Sequence, residues 1–244
     1  MNEQNKNMVV VPVSILTPEW LEKRRGIFAE LDRQLIQGVT NPGNGLTLEQ
    51  LQLVIEHKNP FAVNPESLLA DWRVFYRDEL GIELGEVVIP PHRDEFDRLI
   101  VVARGLTIQK AYDKCAENFL CCKWPEENLD AAVPTNDRLS ADGSYAIWVR
   151  DRIEADEEHK NKLAETIWQE KMSGITLLER LLFELKYFRE SGKHLDIKNI
   201  TLCSASRFTD GRVPRVDFGG RVVSVGRCGP GSARDSLCAR EVVS

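Results

Sequence analysis

The sequence predicts an α+β protein, with a helical N-terminal unit over residues 1–90 and a mixed domain over residues 91–244 built on short antiparallel strands. Three observations carry that expectation. The first ninety residues hold a series of capped, 3.6-periodic segments. A broad apolar stripe, Leu177, Leu178, Leu181, Leu182, Leu185 and Phe188, recurs at spacings of three and four and marks a core helix. Near the C-terminus, "VPRVDF-GG-RVVSVG" pairs two alternating runs across a Gly-Gly turn.

Taken in order, "TPEWLEKRRGIFAELDRQLIQG" opens with Thr17 as N-cap and Pro18 at the first helical position, and Gly38 marks its stop. "LTLEQLQLVIEHK" begins with a capping box, Thr47 and Gln50. "NPESLLADWRVFYRDELG" has Asn64 as cap, Pro65 next and Gly81 as stop. "NPGNG" and "NPFAV" connect these helices, and the proline pair in "VVIPPHRDEF" sets the domain boundary near residues 88–93. Trp20, Trp72 and Phe75 read as helical core ahead of a docking face. Beyond the boundary, "DRLIVVARG" reads as a strand, "LTIQKAYDKCAENF" as an amphipathic helix and "SYAIWVRDRIEA" as a strand. "ITLLERLLFELKYFRESG" is the core helix, closed by Gly192, and "NITLCS" starts the final strands.

Bulk properties narrow the function. Of 244 residues, 42% are hydrophobic and 29% charged, which suits an ordinary core. No apolar run approaches the ~20 residues of a membrane helix, and "MNEQNKNMVVVPVSILTPEW" is a poor secretory signal, so the expected location is cytoplasmic, with display through a partner as the other route. Cys115, Cys121, Cys122, Cys203, Cys228 and Cys238 are expected as free thiols, and His57, His92, His159 and His194 are scattered. No metal, cofactor or catalytic residue is expected. The run Glu154, Asp156, Glu157, Glu158 and His159 reads as a solvated connection. Residues 201–244 carry seven Arg, no Lys, three Asp and one Glu, a net of +3, which leaves −9 for the first 200 residues of a chain at −6. An acidic body argues against nucleic acid as a general partner.

The hairpin divides its residues into two classes. Pairing across Gly219-Gly220 sets Asp217 opposite Val222, Arg215 opposite Ser224 and Val213 opposite Gly226. Val216, Val223, Phe218 and Val225 then share a core face, while Arg215, Asp217, Ser224 and Gly226 share a face on which the fold demands no particular types. From Thr201 to Arg240 there is no Lys, Gln, Glu, Met or Trp. Turn-rich strands are poor in Lys, Glu and Gln in any case. The missing set nevertheless coincides with the residues that pyrimidine-ending codons cannot encode, as random copying of the adenines in AAC-type codons would produce.

"DEFDRLIVVARGLTIQKAYDKC", "SYAIWVRDRIEADEE", "GITLLERLLFELKYFRESGKHLDIKNITLCSASR", "DGRVPRV" and "LCAREVVS" together resemble hypothetical proteins of small uncultivated bacteria, which are similar to the variable target proteins of diversity-generating retroelements. The resemblance spans roughly residues 93–244. It implies a C-type-lectin-like fold of the formylglycine-generating-enzyme type, whose diversified C-terminal surface, here about 201–240, binds an unknown protein or other macromolecular ligand. "TLCSASR" would enter that region and "AREVVS" leave it. The implied exposed positions are Phe208, Arg212, Arg215, Asp217, Ser224, Gly226, Arg227, Cys228, Ser232, Arg234, Ser236 and Cys238. Val213, Val216, Val223, Val225 and Leu237 would be framework. The resemblance also opens an alternative, an enzyme using Cys228 and Cys238 with Arg227, Arg234 and Arg240 lowering their pKa values. A second alternative is a regulator that binds partners through the N-terminal helices. Oligomeric state stays open.

Overall fold

The computed structural model describes residues 17–40, 45–56, 63–124 and 127–244. The N-terminal segment read for a leader, most of "NPGNG" and "NPFAV", and His57 lie outside them. The chain divides into two compact units, residues 1–63 and 64–244, each described by itself.

The first unit contains α1 (Pro18–Thr40) and α2 (Leu48–Ile55). Thr17 caps α1 by accepting from Trp20 N at 3.1 Å, and Thr47 and Gln50 complete the capping box of α2. Helix α1 runs past Gly38, the expected stop. A Cβ at Gly38 would lie 2.4 Å from the Leu46 carbonyl oxygen, so glycine there answers a close backbone approach and not a helix end. No residue of α1 or α2 is buried, and Trp20, expected in a core, is 43% exposed.

The second unit begins earlier than the proline pair suggested, because α3 (Pro65–Phe75) covers the edge of a strand. Asn64 caps α3 through Glu66 N and Ser67 N, each at 3.1 Å. The helix continues as a π turn, Tyr76–Leu80, and ends at left-handed Gly81. Strand β1 (Arg98–Val102) is one half of a two-stranded sheet, and its free edge is closed by side chains. Trp72 Nε1 donates to the Leu99 carbonyl at 2.9 Å, and Tyr76 Oη donates to the Val101 carbonyl at 2.8 Å while accepting from Ala103 N at 3.0 Å. An unpaired strand edge needs such cover. Trp72, Phe75 and Tyr76 are buried, as the core reading of Trp72 and Phe75 expected.

Helix α4 (Ile108–Asn118) is capped by Thr107. Then follow β2 (Cys121–Lys123), α5 (Leu129–Ala132), β3 (Thr135–Asn136) and β4 (Tyr145–Val149), which pairs antiparallel with β1. After α6 (Ala164–Gln169) comes α7 (Leu177–Ser191), with a Thr176–Glu179 capping box and Gly192 left-handed at its end. Residues Leu177 through Lys186 are all buried, charged ones included, because β1 and α4 contact α7 on one side and the C-terminal sheet contacts it on the other.

That sheet comprises β5 (Ile200–Leu202), β7 (Val213–Gly219), β8 (Val222–Cys228), β9 (Leu237–Ala239) and β2, in the order β2-β8-β7-β5-β9; β6 (Ser206–Arg207) pairs with β3 instead. It is mixed, not purely antiparallel: β2 runs parallel to β8, and β9 parallel to β5. The turn is Gly220-Arg221, with φ of 60° and 70°, the geometry a type I′ hairpin requires. Gly219 therefore stays in the strand and pairs with Val222, Asp217 with Ser224, Arg215 with Gly226 and Val213 with Cys228. Each partner moves by two residues from the expected register, an even slip that leaves every side chain on its expected face.

One face, with Thr201, Val216, Phe218 and Cys238, meets α7; His194, just past α7, stacks on Phe218 at 4.0 Å between ring centroids. On the other face, Leu202, Val213, Leu237 and Ala239 pack on Ala164 and Ile167 of α6. Among the described residues no helix is long and apolar enough to cross a membrane.

A buried ionic knot joins these layers. Asp196 accepts from Arg180 Nη2 at 2.7 Å and from Arg240 Nη2 at 2.8 Å, and also from Thr201 Oγ1. Arg180 reaches Glu184 at 2.7 Å, and Arg240 donates to the Arg152 and Ile153 carbonyls at 3.0 and 2.7 Å. Burial works against the Asp196 carboxylate, but Arg240 and Arg180 prevail and hold its pKa below the ordinary value. The stability it contributes is therefore complete above about pH 4, the unfolded carboxylate range, and is lost as pH falls through the depressed folded value. In the acidic run expected to be solvated, Glu157 and Glu158 are exposed, but Asp156 and Glu154 are structural. Asp156 accepts from Arg150 at 2.9 Å and from Glu241 N at 2.8 Å, and Glu154 accepts from Asn199 N at 2.9 Å.

Replacing Asp196 strands two buried guanidinium groups, so Asp196→Ala is expected to lower unfolding free energy by about 3–5 kcal/mol in urea denaturation. A loss under about 1 kcal/mol, the size of an ordinary substitution, would mean the knot is not a support. A chain starting at Asn64 should unfold cooperatively, and one starting at residue 91, which lacks the Trp72 and Tyr76 cover, at a clearly lower urea midpoint. Equal midpoints would restore the boundary near 88–93.

Candidate ligand surface

The segment carrying the predicted positions is held at both ends by main-chain and core contacts. At its entry, Ser206 Oγ accepts from Leu177 N at 2.9 Å and donates to Asn136 Oδ1 at 2.6 Å. At its exit, Arg240 enters the ionic knot, Val242 N donates to the Ser173 carbonyl at 2.9 Å, and Val243 exchanges two 2.9 Å hydrogen bonds with Trp148 of β4. None of these anchors uses a predicted surface residue.

Between the anchors, Val213, Val216, Val223, Val225 and Leu237 are buried, as framework should be. Arg215, Asp217, Ser224 and Gly226 lie together, half-buried, on the face opposite α7. Arg215 Nη1 donates to Asp217 Oδ1 at 2.9 Å. Burial raises the Asp217 pKa, partly offset by Arg215. A Cβ at Gly226 would come within 3.2 Å of Arg215 Nε, so this glycine lets the guanidinium lie against the sheet. Arg212 and Arg234 are exposed, and Arg227, Cys228, Ser232 and Ser236 are half-buried.

Two predicted positions are corrected. Phe208 is buried: its N donates to the Arg212 carbonyl at 2.8 Å, and Thr209 N donates to the Ala132 carbonyl at 3.0 Å, which tucks the loop onto α5. Cys238 is buried because it pairs with Thr201 on the α7 face of β9. Neighbours on a strand also point apart, so Arg227 and Cys228 lie on opposite faces of β8. Arg227 donates to Asp210 at 2.9 Å and lies over the Phe208 ring at 5.8 Å, whereas Cys228 packs against the α6 cluster.

The register places Cys228 and Cys238 on opposite faces of the sheet, so they do not form a pair. All six cysteines are free. Burial pushes Cys121 up to about 12 and Cys238 to about 11. It also raises Cys228, with Arg215 and Arg234 only partly offsetting it. A nucleophilic thiol needs the opposite shift. Arg240 is committed to Asp196 and Thr201. Among the described residues no group of three or more His, Cys, Asp or Glu is arranged to hold a metal ion.

Sequence reasoning missed two residues of this surface. Parallel pairing of β2 with β8 brings Cys122 to Ser224, with Sγ donating to Oγ at 3.3 Å. It also sets Trp124 beside the hairpin, its N donating to the Val225 carbonyl at 2.8 Å and its side chain 63% exposed. Trp124 lines one concavity with Phe208, Asp210 and Arg227. An exposed Trp is a favoured binding anchor, and only a long-range strand pairing could have found it.

Comparison with protein-family models, with curated proteins and with solved structures finds no match to this chain.

In the folded protein Cys122 is expected to be alkylated first, ahead of Cys228, while Cys115, Cys203 and Cys238 react only on denaturation. Peptide mass spectrometry after a short iodoacetamide pulse reads the order, and early labelling of Cys238 would contradict its placement.

Proposed function

We propose that this chain is a ligand-binding protein, with a C-type-lectin-like second unit whose C-terminal surface is diversified by a retroelement. One observation carries the reading: along β7 and β8 the side chains buried against α7 are Val216, Val223 and Val225, and between them stand Arg215, Asp217, Ser224 and Gly226, unrelated in chemistry and not needed by the core. The restricted alphabet of Thr201–Arg240 points the same way. So does the anchoring of the segment at both ends through groups outside the predicted surface.

A platform of this kind suits recognition. Because the backbone is fixed by the hairpin ladder and the two anchors, little ordering entropy is lost when a partner docks, and side chains can change without refolding the chain. The interchangeable set comprises Arg212, Arg215, Asp217, Ser224, Gly226, Arg227, Ser232, Arg234 and Ser236, with Cys228 restrained by its packing on α6 and with Phe208 and Cys238 excluded by burial. Trp124, outside the restricted segment, would serve as an invariant aromatic anchor beside it. The expected ligand is a protein or other macromolecule.

Sequencing the gene locus tests the reading. A reverse-transcriptase gene nearby, together with a near-copy of the 201–240 coding stretch that differs at adenines, is the expected result. A locus with neither, or differences concentrated at the valine codons, rejects it.

A further inference from the structure

Beside the hairpin, where loop 229–236 folds back, lies a cleft of about 250 Å³. Arg212, Arg215, Arg227 and Arg234 line it, Ile200 and Leu237 supply apolar wall, and no carboxylate is among its lining residues. The loop is ordered by its own backbone: Ser232 N donates to the Gly229 carbonyl at 3.0 Å, Leu237 N to the Arg234 carbonyl at 2.9 Å, and Ile200 N to the Ser236 carbonyl at 2.7 Å. Its walls are thus preformed.

The guanidinium groups are incompletely neutralised. Asp217 engages Arg215 at 2.9 Å, and Asp210 engages Arg227 at 2.9 Å and Arg212 at 3.6 Å. Arg234 has no ion pair among the described residues, and the adjacent Asp235 instead accepts from Asn161 at 2.7 Å. Two carboxylates thus serve four guanidinium groups. The register points Arg215 and Arg227 to opposite faces of the hairpin, yet both line this volume together with Arg212 and Arg234, and a bound anion would relieve the excess of positive charge around it. The volume falls below the ~300–1,000 Å³ of sites that enclose a whole small molecule, which fits a single acidic head group. Planar guanidinium forks match carboxylate and phosphate oxygens.

We propose that this cleft binds the oxyanion head, carboxylate or phosphate, of an acidic ligand. The inference rests on reading this end of the sheet as the ligand surface, and it narrows the partner to one presenting such a group there. Asp210 and Asp217 hold Arg227 and Arg215 in place, and the exposed Arg212 and Arg234 close on the incoming charge.

The test is a titration of the full chain with sodium glutarate and, separately, with inorganic phosphate, followed through the arginine Nε–H resonances at constant ionic strength maintained with chloride. Saturable shifts at Arg215 and Arg227 are expected with at least one anion. Glutarate alone assigns the head group as carboxylate, phosphate alone as phosphate, and both as either oxyanion. The double variant Arg212→Ala, Arg234→Ala removes two exposed side chains and should weaken binding about tenfold or more, as loss of a charge-assisted hydrogen bond does. Arg221→Ala, at the hairpin tip, should leave binding unchanged. Shifts that never saturate, or equal affinity in the double variant, overturn the proposal. Anion binding with no retroelement at the locus would reject the diversification reading alone, and a retroelement without anion binding would reject the cleft alone.

Discussion

The Asp196 carboxylate, buried between Arg180 and Arg240, is the point on which the second unit depends. It sits just past α7, with Arg180 in that helix, Thr201 in β5, and Arg240 at the exit of β9. Its own main chain extends the reach, because Asp196 N donates to the Ile153 carbonyl at 3.0 Å and its carbonyl accepts from Phe218 N at 3.1 Å. One residue thus joins the central helix, the sheet and the chain that leaves the sheet. A charge in this position is tolerated only with full compensation, and here two guanidinium groups and a hydroxyl provide it.

That arrangement separates what the C-terminal segment needs for folding from what it displays. The knot, the Ser206 contacts at the entry and the Val242–Val243 pairing at the exit hold the backbone from below and from both ends. Val216, Val223 and Val225 fill the space on the α7 face, and Val213 packs on α6. On the opposite face Arg215, Asp217, Ser224 and Gly226 take no part in these contacts, so their identity enters the folding energy only weakly. In the proposed reading, this division lets the surface vary while the platform endures, and the same stiffness keeps the arginine cleft open without a ligand.

The fold's other economy lies at β1. A two-stranded sheet leaves an edge, and α3 closes it with an indole N–H and a phenol in place of a third strand. Aromatic side chains can do this because each joins a large apolar body to a single polar tip. The consequence is that α3 belongs to the second unit although the sequence between them contains a proline pair.

Local chemistry was legible in the sequence wherever a signal spans a few residues. Capping residues Thr17, Thr47 and Asn64, the stripe of α7 and the alternation of the hairpin all rest on neighbours within one or two turns or one strand pair. The faces of β7 and β8 were readable even with the register displaced, because a slip of two preserves side-chain parity. What tertiary structure alone decided involves partners far apart in the chain. These include the burial of Phe208 and Cys238, the separation of Cys228 from Cys238, the meeting of Cys122 and Trp124 with the hairpin, and the pairing of Asp196 with Arg240. A charged residue reads as solvated from its sequence neighbours, and only the packing of separate elements reveals which charges are enclosed and which remain open to a ligand.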